Sequence, residues 1–471
     1  MIACIIWTPL RNREPQIKFQ QLCPRIHIRA VALVEHSLNT MRARETQQAG
    51  VVSDVAAPMN AKSSDLIDNN LAYVTPAALS LAVDRKLVKN YFQSRNYVGG
   101  ESAVIDVNSG TNYVDGDNSC LTFCASLDAT ATTATAGFGK GSAMNFIKSI
   151  KILSRSGIEL DRVERANFWS QIFTVYTNSH SFLLRQGPLE GWNVTGTPSF
   201  PLASNTILRY AIPLKRLSGL FRPTTPGQKI PPNIMSGMKM EIEWENVATA
   251  LLSSAGAGTI NNYKISELCI ITDNITMTDD VQKTLNQQSA TNGLEYVYPR
   301  WFHALDAIGI VTAVSTKISK SVAMGNMAIA MSVPSANAAL ITQDSFISLP
   351  WNVSEFNYRL GALFFPSQPI RDPRYDAVEA FQTALMAFNK YKHPDFDSSV
   401  SYDDFKTGGR AVMAVSLERD AALELSGLPL NNSRLLELLA TEAPSAARNV
   451  YLCLEYTCTF RAYVDNVVVS F

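Results

Sequence analysis

The sequence predicts a mainly β chain, two rolled β-sandwiches in tandem with a few short helices, and three observations predict it. Strand-like runs separated by turn signals follow one another from about residue 93 to the C-terminus. Two helix signals, opening at Asp161 and Asp372, lie about 211 positions apart, each inside its own set of strands. Reactive side chains are scarce, which favours a structural role over catalysis.

Bulk properties frame this reading. The chain has 471 residues, 46% hydrophobic and 17% charged, enough to bury sizeable cores and too many for one ordinary domain. Lys plus Arg equals Asp plus Glu at 41 each, so the chain has no overall charge with which to coat nucleic acid or an anionic membrane. Seven cysteines are too few for a disulfide scaffold and point to assembly in a reducing compartment. The spacings Cys120 to Cys124 and Cys453 to Cys458 are not those of a zinc site. No run approaches the roughly 20 apolar residues that cross a bilayer.

Residues 1–58 read as an N-terminal extension or arm. They carry seven basic residues (Arg11, Arg13, Lys18, Arg25, Arg29, Arg42, Arg44) against four acids (Glu14, Glu35, Glu45, Asp54) and no clean period. Two readings stand: a mildly basic arm that touches nucleic acid, or an upstream extension with translation starting at Met59. Removing the segment leaves 34 basic and 37 acidic residues, a faintly acidic body. Residues 59–92 read as helical, with Leu66, Ile67, Leu71, Leu79, Leu81, Val83, Leu87 and Val88 forming a stripe broken at Pro76.

A first β domain follows over 93–290. Its clearest strand is Met238 to Glu245, where Met238, Met240, Ile242 and Trp244 alternate with Lys239, Glu241, Glu243 and Glu245. Further strands are expected at 103–107, 121–127, 147–160, 207–214 and 263–271. Asp161 with Glu164 forms a capping-box pattern predicting a helix over Arg162 to Asn178. A shorter helix, capped by Thr278, runs toward Gln288 and separates the halves.

The second β domain spans 291–471, with strands expected at 318–333, 356–365 and 411–417. Asp372 with Pro373 opens a helix over Arg374 to Tyr391. Near the end, Leu452, Leu454, Tyr456, Cys458 and Phe460 alternate with polar neighbours, and VVVSF closes the chain as a strand.

Several segments carry a family resemblance. They are VIDVNSGTNYVDGDNSCLTF, IKILSRSGIELDRVERANFWSQIF, LRYAIPLKRLSGLF, IPPNIMSGMKMEIEWENVATAL, FKTGGRAVMAVSLERD, LSGLPLNNSRLLEL and YLCLEYTCTFRAYVDNVVVSF, spread over residues 100 to 471. Their order resembles the double jelly-roll major capsid proteins of virophages and polinton-like viruses, in the lineage of adenovirus and tailless phages. The resemblance implies two tandem jelly-roll β-sandwiches and a homotrimer that tiles an icosahedral shell as a pseudo-hexagonal capsomer. Its partners would be itself, neighbouring capsomers, minor or penton capsid proteins and an internal membrane or scaffold, with no sequence-specific nucleic-acid binding. It places the chain in the virion, after assembly in host cytoplasm or nucleus. The body is short for this class, which keeps a single jelly-roll capsid or projection protein open. A carbohydrate-binding β-sandwich is the other alternative.

Enzyme chemistry finds little support, and no catalytic, cofactor or metal residues are assigned. His180, His303 and His393 are isolated in sequence. GFGKGSA at 137–143 departs from the phosphate-loop pattern, since Gly141 follows Lys140. Asp279 and Asp280 suit a helix first turn, and Asp395, Asp397, Asp403 and Asp404 suit a solvated loop. Asn193, Asn274, Asn352 and Asn431 head glycosylation sequons that matter only in a secretory compartment. Trp192, Trp244, Trp301 and Trp351 could line a sugar groove but are expected in the core.

Overall fold

A computed structural model describes residues 82–130, 134–192, 201–204, 206–225, 227–253, 260–337, 341–388, 398–419, 427–430, 435–443, 446–463 and 467–470. The 1–58 segment and residues 59–81 lie outside these.

Sixteen principal strands fall into two series of eight. The first is β1 (Ala82–Tyr91), β2 (Ser102–Val107), β3 (Tyr113–Ala129), β4 (Ile147–Leu153), β5 (Glu159–Glu164), β6 (Leu208–Pro213), β7 (Met238–Trp244) and β8 (Ile260–Met277). The second is β9 (Leu294–Ile308), β10 (Ala313–Ile318), β11 (Val322–Pro334), β12 (Val353–Leu360), β13 (Leu363–Arg371), β14 (Met413–Ser416), β15 (Leu436–Glu442) and β16 (Arg448–Ala462). The first series forms two antiparallel sheets, ordered β1-β8-β3-β6 and β2-β7-β4-β5. The second forms β9-β16-β11-β14 and β10-β15-β12-β13. Adding eight to each label of the first roll gives the second, so both halves are complete jelly rolls with the same connections. That removes the single-roll alternative.

Alternation explains how each sheet buries one face. In β7 Met238, Met240, Ile242 and Trp244 are buried while Lys239, Glu241 and Glu243 line the other side, as the period-two pattern predicts. Trp244 meets Phe123 of β3 across the sandwich at 5.7 Å, edge to face. In β16 residues on both faces are buried.

Three longer helices complete the frame. α1 (Ala166–Thr177) follows β5, α2 (Asp279–Thr291) joins the rolls, and α3 (Val378–Ala387) follows β13. α1 and α3 occupy the same connection in their rolls. Each is entered through a non-glycine residue in the left-handed region, Arg165 (φ 52°) and Ala377 (φ 63°).

Several expectations are corrected. Ala82–Tyr91 is a strand of the first roll, not the end of a 59–92 helix, so that roll begins before 93. Val83, Leu87 and Tyr91 recur every four residues, a spacing that suits a helix stripe and equally one face of a strand. The 147–160, 318–333 and 356–365 runs each straddle two elements. Asp161 and Glu164 lie in β5 and cap nothing; the helix starts only after the left-handed turn at Arg165. The second helix likewise begins at Val378, six residues beyond Asp372. Thr278 does precede α2, but its side chain makes no cap hydrogen bond.

Candidate functional site

The functional geometry is a seam where the two rolls meet, and the outer face of β9 is its first component. Tyr296 and Tyr298 donate their hydroxyls to main-chain oxygens of the first roll, on Leu220 (2.7 Å) and Leu160. Two residues on, Arg300 reaches Asp161 at 3.2 Å and Glu159 at 3.1 Å. The chains come this close because residue 219 is glycine: a Cβ there would lie 1.6 Å from the Pro299 carbonyl oxygen.

Asp161 and Arg300 are both buried, and each charge depends on the other. Burial lifts the Asp161 pKa, while Arg300, the Ser218 hydroxyl and the amides of Arg162 and Leu220 pull it back. For Arg300 burial opposes the charge, but Asp161 outweighs it and the pKa is raised.

The second component is α1, whose residues from Ala166 to Tyr176 are all buried. A helix buried all round is covered on every side, and here the second roll supplies the remaining cover. Phe168 stacks on Tyr451 (4.4 Å), Trp169 on His303 (5.6 Å) and Tyr176 on Phe388 (4.6 Å). The Tyr176 hydroxyl donates to the Arg410 carbonyl oxygen at 2.7 Å. Both His303 ring nitrogens are buried without a hydrogen-bond partner. Burial, reinforced by the Arg165 charge, pushes its pKa down to about 3, so the ring is a neutral packing element.

The GFGKGSA loop is the third component. Lys140 Nζ donates to Gly408 O (2.5 Å) and Asp404 Oδ1 (3.3 Å), while its amide donates to Asp344 (2.8 Å). Arg410 donates in return to the Lys140 carbonyl oxygen. The lysine that suggested a phosphate loop is engaged in latching one roll to the other.

The remaining sequence candidates do not converge. His180 is exposed at the start of a short helix, and His393, Asp395 and Asp397 lie outside the described residues. Asp279 and Asp280 sit in the first turn of α2, and Asp403 in a short helix beside Asp404. Asn274 is buried on β8 and Asn352 is half-buried, while Asn193 and Asn431 are outside the described residues. Trp192, Trp244, Trp301 and Trp351 are all buried. Cys120, Cys124, Cys269, Cys453 and Cys458 are free thiols.

One group escaped sequence reasoning. Asp372, at the end of β13, is 4% exposed, and its Oδ2 is buried with no hydrogen-bond donor. Burial, the adjoining Asp376 carboxyl and the charge of Glu379 raise its pKa to about 6. Tyr375 and Val378 stand exposed beside this acidic patch.

No family model and no curated protein matches the sequence. Solved structures do match. The PBCV-1 virus capsid, in a quasi-atomic model, gives a TM-score of 0.56 at 10% identity, covering 85% of this chain and 99% of that one. The Faustovirus major capsid protein gives 0.53 at 9% identity, over 92% and 98%. The Sputnik virophage structure gives 0.54 at 11% identity, over 86% and 92%. With the matching sheet orders, these likenesses establish the double jelly-roll fold.

Proposed function

We propose that this chain is a viral major capsid protein, a structural and non-enzymatic subunit whose homotrimers form pseudo-hexagonal capsomers of an icosahedral shell. The observation that carries the reading is the repetition of one eight-strand roll within a chain, in a fold shared along most of its length with solved capsid proteins. Two rolls per chain let three copies present a near six-fold outline under three-fold symmetry. Residues 1–58 are assigned to an arm or extension, 59–81 to an N-terminal segment ahead of the rolls, 82 to about 290 to the first roll, and 291–471 to the second. Neighbouring capsomers, minor or penton proteins and an internal membrane or scaffold are the assigned partners, in the virion and during host assembly.

The sugar-binding alternative needs an exposed aromatic platform, and the four tryptophans named for it are buried. Sedimentation and negative-stain microscopy of the purified chain test the capsid reading. The expected result is a compact trimer that tiles into sheets or shells; a folded monomer at micromolar concentration across all salt conditions overturns it.

A further inference from the structure

The seam inside the chain has a counterpart left uncovered on the outside. β2 and β10 begin and end 211 positions apart, so a residue of β1 corresponds to the one 211 further on in β9. Lys89 then corresponds to Arg300, Leu87 to Tyr298, Tyr91 to Phe302 and Val83 to Leu294.

The sheet faces agree with this offset. Phe123 points inward to Trp244 and Phe146, so its neighbour Thr122 points outward, and with it Cys269 and Tyr91, its partners in register. The outer face of β1 therefore carries Leu87, Lys89 and Tyr91, with Val83 at the bulge beyond them, as the outer face of β9 carries the seam residues. Their environments are opposite. Tyr298 is 0% exposed and Arg300 4%, whereas Val83, Leu87 and Tyr91 are each 68% exposed. Arg85 on the same face pairs with Asp273, while Lys89 has no acidic partner among the described residues.

The receiving side is doubled as well. Asp161 precedes α1 and takes Arg300; Asp372 precedes α3 and meets the Asp376 and Glu379 carboxyls and the Ala380 amide, with no cation among them. Its Oδ2 is buried without a hydrogen-bond donor, an acceptor left open beside two carboxyls. Exposed Tyr375 and Val378 lie next to it, matching in kind the exposed apolar residues of β1.

We propose that a second copy of this chain completes the contact: the outer face of β1 in one copy covers the Asp372–Val378 patch of the next. Lys89 enters the acidic cluster as Arg300 meets Asp161 within the chain, and Val83, Leu87 and Tyr91 cover Tyr375 and Val378. The two surfaces differ, so the contact is head-to-tail and propagates around a ring. This rests on the capsomer reading and specifies which surfaces build it.

The test uses the full chain in four forms: wild type, Lys89→Glu, Leu87→Asp, and the pair Lys89→Glu with Asp376→Lys. All three substituted side chains are exposed, so circular dichroism and thermal melts should show an unchanged fold. The single variants are expected to weaken association by about tenfold or more, and the charge-swapped pair to recover much of it. In a second arm, Lys89→Cys with Asp376→Cys should give disulfide-linked dimers and trimers on oxidation, with neither single variant doing so. A wild type that assembles while all variants assemble equally, without cross-linking, overturns this contact and leaves the capsomer reading standing. A wild type that never assembles removes both.

Discussion

Asp161, within β5, and Asp372, just past the end of β13, each lie ahead of the equivalent helix in two rolls with identical strand order, and their surroundings diverge. Asp161 is closed in by Arg300, a serine hydroxyl and two amides; Asp372 is closed in by two further carboxyls and one amide. One carboxyl is thus met by a cation from the other roll, and the other is met by none among the described residues. The difference teaches that a carboxyl ahead of an equivalent helix takes its charge balance from the roll packed against it, not from the strand order it shares.

The largest expected effect breaks the resolved side. Arg300→Leu strands a buried carboxylate and should cost about 3–5 kcal/mol in denaturant unfolding, whereas Lys89→Leu, on the uncovered counterpart, should stay within about 0.5 kcal/mol. Equal costs would erase the distinction between the two surfaces. Next, Gly219→Ala forces a methyl against the Pro299 carbonyl and should lower stability by about 1–3 kcal/mol through seam distortion, while Gly227→Ala meets no neighbouring atom and its smaller cost reflects only its positive φ.

The smallest effect concerns pH. A carboxyl whose folded pKa is raised stabilises the fold below its unfolded value, near 3.8, and that contribution is lost as pH rises through about 6. Asp372→Asn removes this dependence and should be about 1–2 kcal/mol more stable than wild type at pH 8, with the gap closing by pH 4. His303 acts in the other direction. Its folded pKa is depressed, so stability is full above about 6.5 and declines as pH falls toward 3. A melting temperature for Asp372→Asn no higher than wild type at pH 8 would count against an uncompensated Asp372.

Much of the fold was legible in the sequence because alternation and turn chemistry are local. β7 and the one long helix in each half are the clearest cases, and the tandem arrangement follows from them. What misled was tertiary. Asp161-x-x-Glu164 has the spacing of a capping box, yet Asp161 is placed by an arginine 139 positions later, a contact no local pattern encodes. Residues 82–91 read as helix because their exposed apolar side chains recur every four positions. Lys140 resembled a phosphate ligand, and only the folded loop shows it spanning two rolls. The Asp372 patch left a faint trace: acids at 372, 376 and 379 at helical spacing with no basic residue four positions on.

The seam's tyrosines carry a further consequence. Tyr176, Tyr296 and Tyr298 direct their hydroxyls at carbonyl oxygens of Arg410, Leu220 and Leu160, not at side chains. Every amino acid offers that same acceptor. A joint addressed to the peptide backbone can therefore persist while the residues it touches drift through evolution, which suits an architecture that solved structures share at 9–11% identity.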